Sequence, residues 1–145
     1  MIRPAEGRED YSACADIWLA ASLLSHDFIP ADFWRRNRES MLTDYLPGSQ
    51  VFIRDLGGCP AAFAAVKGDY LAALFVRPEF WGRGLGAELL ENVLNGRKIM
   101  RLNVYQRNRR AVDFYRRFGF AEERKSFCPH TGQLEISMVL SKVKP

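Results

Sequence analysis

The N-terminal third of the chain has apolar residues spaced as on the buried side of a helix. They recur from about Glu9 to Leu24, and after a break at His26 to Ile29 they recur again up to Leu46. Pro30 stands at the first turn of the second segment, where a helix tolerates proline because the N–H that proline lacks would be unpaired anyway. The pattern predicts two consecutive helices that end before a Pro-Gly pair.

After this pair the apolar residues form short runs bounded by glycine and proline, which is typical of strands. The predicted strands are Met1 to Arg3, Val51 to Ile53, Ala61 to Val66, Tyr70 to Val76, Ile99 to Tyr105, Phe120 to Phe127 and Leu134 to Leu140. Two further helices are predicted over Gly84 to Leu94 and Arg109 to Phe118. The order β-α-α-β-β-β-α-β-α-β-β indicates an α/β (α+β) fold with a central mixed sheet and helices on both faces.

Length and composition fit a single globular domain over residues 1–145, with 48% hydrophobic and 26% charged residues. The chain has no apolar run of about 18 residues, and its charged N-terminus does not resemble a secretory signal. The three cysteines, Cys14, Cys59 and Cys128, are widely spaced and form no C-x-x-C pair. Such spacing favours a reducing compartment over a disulfide framework or a zinc site. We therefore expect a cytoplasmic protein with no metal and no membrane partner.

The net charge of +4 comes largely from one segment of the chain. Its basic residues are Arg97, Lys98, Arg101, Arg107, Arg109, Arg110, Arg116 and Arg117. A basic cluster of this kind suits a polyphosphate ligand, a nucleic acid or a solvated surface. The charge alone does not decide between these partners.

The loop from Trp81 to Gly86 (WGRGLG) lies between a predicted buried strand and a predicted helix. Its three alternating glycines lack side chains, so backbone N–H groups can face one concavity at the positive end of the helix dipole. This pattern indicates a main-chain cradle for phosphate, with a glycine-rich turn that binds nothing as the alternative. The spacing G-x-G-x-G differs from the dinucleotide motif G-x-G-x-x-G, and no G-K-[ST] follows.

Two segments resemble signatures of the GNAT superfamily of N-acetyltransferases. Leu74 to Leu90 (LFVRPEFWGRGLGAELL) resembles the motif [QR]-x-x-G-x-[GA], and Asn108 to Phe120 (NRRAVDFYRRFGF) resembles N-x-x-A-x-x-[FL]-Y-x-x-x-G-F. His26 to Trp34 (HDFIPADFW) further resembles a small bacterial group of the superfamily. The two signatures stand in the family's order, and the predicted elements match the GNAT fold over nearly the whole chain.

The resemblance implies acetyl-CoA as the cosubstrate. In the family, loop amides bind the CoA diphosphate, and the corresponding residues are Gly82, Arg83, Gly84, Leu85, Gly86 and Ala87. Backbone groups of Leu74, Phe75 and Val76 would pair with the pantetheine arm where the sheet splays between its fourth and fifth strands. Trp81 departs from the signature, since it stands at the usual Gln or Arg position. Because the family's contact at this position is chiefly main chain, we expect binding to persist.

Tyr115 and Asn108 lie on one predicted helix. From the spacing alone, Asn108 is an N-cap and Tyr115 a core aromatic residue. The resemblance instead implies that Asn108 contacts the CoA arm and that the Tyr115 hydroxyl lies near the thioester sulfur. Full proton transfer from a phenol of pKa near 10 to a thiolate whose thiol has a pKa near 8.5 is uphill by roughly 2 kcal/mol. We therefore expect Tyr115 to donate a hydrogen bond to the departing sulfur.

The general base is not evident from the sequence. In histone-type relatives the base is a glutamate early on the central strand, where this chain has Tyr70. In ribosomal N-terminal acetyltransferases it is a glutamate on the following strand, where this chain has Asn103. His26, Asp69 or a water chain is then the candidate. Cys128 and His130 form a further possible nucleophile pair, which direct transfer does not require.

These features together predict direct transfer of acetyl from acetyl-CoA to a primary amine in a ternary complex, with Tyr115 and His26 as the catalytic candidates. The acceptor can be a protein lysine, a protein N-terminus or a small amine, and it would approach near His26 to Trp34 and the hairpin at Phe127 to Gln133. The alternatives are a non-catalytic acyl-CoA sensor and a basic nucleic-acid-binding module, although we do not expect a nucleic-acid partner. Monomer and homodimer both remain open.

Overall fold

The computed structural model describes residues 1–142 and has the predicted order of elements. The helices are α1 (Gly7–Ser25), α2 (Ala31–Ser40), α3 (Leu85–Leu94) and α4 (Arg109–Phe118). The strands are β1 (Ile2–Pro4), β2 (Gln50–Leu56), β3 (Cys59–Lys67), β4 (Tyr70–Val76), β5 (Ile99–Tyr105), β6 (Ala121–Phe127) and β7 (Leu134–Ser141). Among the helices described, none is long and apolar enough to cross a membrane.

The seven strands form one sheet in the order β1-β2-β3-β4-β5-β7-β6. All neighbouring pairs are antiparallel except β4 and β5, which run parallel. Within residues 1–142, this parallel pair is in register only at Tyr70 and Arg101, so the two strands separate beyond their first residues. The expected splay between the strands ending at Val76 and beginning near Ile99 is therefore present.

Two hydrophobic clusters cover the two faces of the sheet, as the prediction of helices on both faces requires. On one face, Leu89 and Leu90 of α3 are fully buried against strand residues. On the other face, Ile17 of α1 and Phe63 of β3 are fully buried in the second cluster. Each such side chain contributes about 1.5–3 kcal/mol when removed from water, so the sheet is fixed from both sides.

Among the irregularities that were not predicted from the sequence, two contribute residues to the cavity described next. The apolar stripe of the second helix continues to Leu46, but its last turn, Met41–Tyr45, is a π-helix. In the pairing of β3 with β4, the register shifts so that Ala72 has no residue opposite it, which is a β-bulge. Such features are frequent at functional sites, and residues of both line the cavity described next.

Candidate active site

A cavity of about 650 Å³ lies where β4 and β5 separate, and α1, α2, the π turn, α4 and the β6–β7 hairpin supply its remaining walls. Its lining is mainly aromatic and aliphatic, with a few polar side chains, as is usual for a small-molecule site. Of the residues predicted from the sequence, it contains His26, Leu74, Phe75, Asn108 and Tyr115. The structure therefore brings both catalytic candidates to one cavity.

Tyr115 is held by the packing and the C-terminus of α4. The helix ends at Gly119 in the left-handed conformation (φ 110°), and the N–H of Phe120 donates to the Tyr115 carbonyl. The Tyr115 ring packs edge-on against Phe114 and Phe120, and 8% of the residue is exposed. Burial, and next the nearby Tyr70, raise the pKa of the Tyr115 hydroxyl. The phenol therefore stays protonated at neutral pH and can donate a hydrogen bond.

His26 and Asn108 bond to each other across the cavity wall. The Asn108 Oδ1 accepts from the Ala111 N–H at 3.3 Å, as an N-cap does, which leaves its Nδ2 to donate to His26 Nε2 at 3.1 Å. The His26 ring is stacked on Trp34 with 5.0 Å between centroids. Burial lowers the pKa of His26 to about 4, so the imidazole is neutral at physiological pH. Because the Nε2 of this neutral ring already accepts from the Asn108 amide, it is not free to take a proton from an ammonium.

The glycine-rich loop has the backbone shape that a phosphate cradle requires. Gly82 (φ 84°) and Gly84 (φ 80°) are both left-handed, and a Cβ on either would meet no atom within 4 Å. Gly84 is the N-cap of α3 and supplies no side-chain cap, so the amides of the first turn remain available to an anion. The residues present thus fit the diphosphate of acetyl-CoA, and Arg83 adds a positive charge beside the loop. The loop residues 82–87 and Val76 lie outside the cavity lining.

Trp81, which departs from the family signature, closes the loop onto β4. Its indole Nε1 donates to the Val76 carbonyl oxygen at 2.7 Å. The Arg110 guanidinium lies over the indole ring, 4.8 Å from its centroid, and this places a cation of α4 beside the loop. The indole therefore fixes the loop by a hydrogen bond to main chain, at the position where the signature has Gln or Arg.

The positions at which relatives carry a glutamate are occupied by neutral groups. Burial raises the pKa of the Tyr70 hydroxyl to about 12, and Asn103 accepts a hydrogen bond from the Ser137 hydroxyl at 2.8 Å. Both residues line the cavity. Asp69, one of the predicted base candidates, is exposed and lies outside the lining.

Glu135 on β7 is a cavity residue that the sequence reading missed. It stands opposite Tyr105 in the pairing of β5 with β7. Burial raises the pKa of its carboxyl group, and the nearby His130 acts in the opposite direction. Among residues 1–142 no Lys or Arg lies within ion-pair distance of this carboxylate. The alternation along Leu134–Ser141 predicts that Ile136 points to one face of the sheet and Glu135 to the other. It does not predict which part of the chain covers the face that carries Glu135.

Cys128 and His130 reach the same cavity from the β6–β7 hairpin. The Tyr105 hydroxyl donates to the Cys128 Sγ at 3.7 Å. Burial alone would raise the pKa of the Cys128 thiol, but hydrogen bonds from Thr131, the His130 backbone and Tyr105 lower it below its ordinary value. This hairpin therefore contributes polar groups to the end of the cavity where an acceptor was expected.

Some residues of the predicted basic cluster make local contacts. Arg101 pairs with Glu123 and Arg116 with Glu122, while Arg107 lies over the ring of Phe28.

Comparison with known proteins identifies the family. The profile of the acetyltransferase (GNAT) family matches residues 14–120. The peptidyl-lysine N-acetyltransferase YiaC of Escherichia coli (strain K12) is 34% identical over 121 residues, which are 83% of this chain and 82% of the relative. The chain therefore belongs to the GNAT acetyltransferase family. It is an acyl-CoA-dependent N-acetyltransferase with acetyl-CoA as its cosubstrate.

Solved structures show the same fold. The apo form of YjaB from Escherichia coli superposes with a TM-score of 0.84 at 24% identity, covering 96% of this chain and 95% of that one. The yncA protein of Salmonella typhimurium, solved with its cofactor acetyl-CoA, superposes with a TM-score of 0.69 at 19% identity, covering 100% and 95%. The predicted GNAT-like fold is thus confirmed.

Proposed function

We propose that this protein transfers the acetyl group of acetyl-CoA directly to the side-chain amine of a lysine in a polypeptide. The observation that carries the proposal is the single cavity in which Tyr115, the splayed strand β4 and the acceptor-side hairpin meet. The named activity of YiaC, a peptidyl-lysine N-acetyltransferase, supports lysine as the acceptor. Lysine is thereby favoured over the protein N-terminus and small amines.

The lining of the cavity also suits a lysine side chain. Trp18, Phe33 and Trp34 supply apolar surface from α1 and α2 that can pack against a chain of four methylenes. Asp44 and Glu135 supply negative charge that attracts the ammonium group. An aliphatic stem with a terminal cation matches both features.

The residues of the chain divide the work of transfer. Acetyl-CoA supplies an activated acetyl thioester. The amides of Gly82 to Ala87 hold its diphosphate, while Leu74 to Val76 hold the pantetheine arm and Asn108 lies beside that arm. The bulge at Ala72 sets the direction of the β4 backbone groups at the reacting end of the cavity. Tyr115 donates a hydrogen bond to the sulfur as negative charge develops there.

In this proposal His26 has a positioning role and does not take up the proton of the acceptor. Its neutral ring is stacked on Trp34 and accepts from Asn108, so it joins the acceptor-side wall to the N-terminus of α4. The proton of the acceptor is then left to another group.

The test is an acceptor screen that reports free CoA release from acetyl-CoA. The screen has three arms. The first contains peptides with one internal lysine and a blocked N-terminus. The second contains matched peptides with a free N-terminus and arginine in place of lysine, and the third contains small amines. Turnover with the lysine peptides, and acetyl-lysine in the product by mass spectrometry, supports the proposal. Turnover confined to either other arm overturns the choice of lysine.

The same screen separates the alternative functions. An acyl-CoA sensor binds acetyl-CoA without turnover in any arm, whereas a nucleic-acid module binds DNA or RNA with a steep salt dependence and has no affinity for CoA.

We also propose a single domain over residues 1–145, a cytoplasmic location and a monomer or homodimer.

A further inference from the structure

The acceptor amine must lose a proton before it attacks, and the cavity offers few groups to accept it. A free lysine is neutral to about one part in a thousand near pH 7, so a positioned base can raise the rate by a large factor. The His26 Nε2 already accepts from the Asn108 amide, and Tyr70 with a pKa of about 12 holds its own proton. The acidic side chains that line the cavity within residues 1–142 are Asp44 and Glu135.

Of these two carboxylates, Glu135 has the environment of a base. Asp44 is on the exposed side of the π turn, where water screens its charge. Glu135 is half-buried on β7, the strand that pairs with β5 beside the splay. Tyr70 of β4 and Tyr105 of β5 line the same cavity, and burial, together with the charge of Glu135, raises the pKa of both hydroxyls, so the carboxylate lies near both.

We propose that the Glu135 carboxylate removes the proton from the acceptor ammonium, a role that rests on the proposed lysine acetylation. The N–H bond breaks and its proton passes to the carboxylate, directly or through one water. The free electron pair on nitrogen then forms the C–N bond to the acetyl carbon as the C–S bond breaks. The second proton that leaves the nitrogen ends on the sulfur, which departs as a thiol, and Glu135 releases the first proton to water. The net products are therefore the acetyl-lysine, CoA and one proton.

Several titratable groups line the cavity together with this carboxylate. They are Lys67 of β3, Tyr70 of β4, Tyr105 of β5, and Cys128 and His130 of the hairpin. A positive charge on His130 favours the carboxylate form, while burial favours the protonated form. A carboxyl group whose pKa lies above its ordinary value is better matched to an ammonium than an exposed one.

The test is the pH profile of kcat/KM for Glu135→Gln, with Glu123→Gln as the matched control. Glu123 is an exposed residue of the edge strand β6 that pairs with Arg101. The wild type and the control should level off above the pKa of the Glu135 carboxyl group. At pH 7 Glu135→Gln should lose 10²- to 10³-fold, with the loss shrinking about tenfold for each pH unit toward the pKa of lysine.

A structural role for Glu135 would give a different pattern, namely a loss that stays constant with pH. Such a constant loss, or wild-type activity of Glu135→Gln at pH 7, overturns the proposal. Glu135→Asp keeps the carboxylate and should retain a levelled profile at a reduced rate, and a rising profile for it also counts against the proposal. If the wild type acetylates N-terminal or small amines but no lysine, the proposed function fails, and the same profiles with that acceptor still decide the role of Glu135.

Discussion

The Asn108 side-chain amide lies 3.1 Å from the Nε2 of His26, although 82 positions separate the two residues in the chain. From the sequence, one was predicted to contact the CoA arm and the other to serve the acceptor. In the structure, Asn108 is the N-cap of α4 and His26 the C-cap of α1. The bond therefore links the ends of two helices in the wall of the cavity, and a change at either residue should affect both substrates.

The buried His26 should make the protein sensitive to acid. Its pKa is about 4 in the folded state and about 6.5 when unfolded, so the unfolded state binds more protons between these values. Its contribution is complete above pH 6.5 and is lost as the pH falls toward 4, by about 3 kcal/mol. Urea unfolding of the wild type and His26→Gln at several pH values measures this loss.

The two proteins share every other titratable group, so their difference in unfolding free energy isolates His26. The advantage of the wild type over His26→Gln should shrink by about 3 kcal/mol from pH 7 to pH 4. A difference that stays constant over this range would show that the pKa of His26 is the same in the folded and unfolded states, and that burial does not lower it.

Removal of the Tyr115 hydroxyl should separate chemistry from packing. Tyr115→Phe retains the ring contacts with Phe114 and Phe120, so the unfolding free energy should change by at most about 1 kcal/mol. We expect kcat to fall by more than tenfold, while calorimetry shows acetyl-CoA affinity within about twofold of the wild type. Tyr11→Phe on α1 is the control. Unchanged turnover in Tyr115→Phe would leave this tyrosine a packing residue.

Two glycines with the same backbone conformation allow a matched test of the phosphate cradle. Gly84 (φ 80°) and Gly58 (φ 81°) each have open space where a Cβ would be, but Gly58 lies in the β2–β3 hairpin. Valine at either position strains the backbone, so both variants should lose stability to a similar extent. Only Gly84→Val should weaken CoA binding, by at least tenfold or about 1.4 kcal/mol. Equal CoA affinity of the two folded variants would refute the cradle.

The cysteines should differ in reactivity according to their surroundings. Burial raises the pKa of Cys14 to about 12, whereas hydrogen bonds hold the pKa of Cys128 below its ordinary value. Because the thiolate is the nucleophile, iodoacetamide should modify Cys128 faster than Cys14 at pH 7. An acceptor peptide should protect Cys128 in the cavity and leave the exposed Cys59 unprotected. Peptide mass mapping measures the modification of each cysteine. If the acceptor peptide protects Cys128 no more than Cys59, the acceptor binds elsewhere.

The order of elements could be predicted because each segment has a clear apolar period and a clear end. α3 is an example, since Leu85, Leu89 and Leu90 lie on one buried stripe behind a glycine loop. The insertion of β7 between β5 and β6 could not be predicted, because strand order depends on pairings between segments that are distant in the chain. Without that order, nothing in the sequence brings Glu135 next to Tyr105.

The irregular backbone also has no local signal. No glycine or proline marks the bulge at Ala72. The apolar run around it has the same pattern as a regular buried strand. The π turn at Met41–Tyr45 likewise continues an ordinary apolar stripe. His26 illustrates a third limit, since its burial and its neutral state result from the ring stack with Trp34 and the distant Asn108. The residues of the site were thus easier to predict than their protonation states.

The separation of β4 from β5 has a thermodynamic consequence beyond the admission of substrate. One registered residue pair, Tyr70 with Arg101, joins the strands β1–β4 to the strands β5–β7 within the part of the chain described here. A ligand that inserts between the halves binds the native state and has no site on the unfolded chain. Its concentration therefore sets the apparent melting temperature, and at one hundred times its Kd it adds about 2.7 kcal/mol. In a cell, the supply of acetyl-CoA would then change the stability of this enzyme as well as its rate.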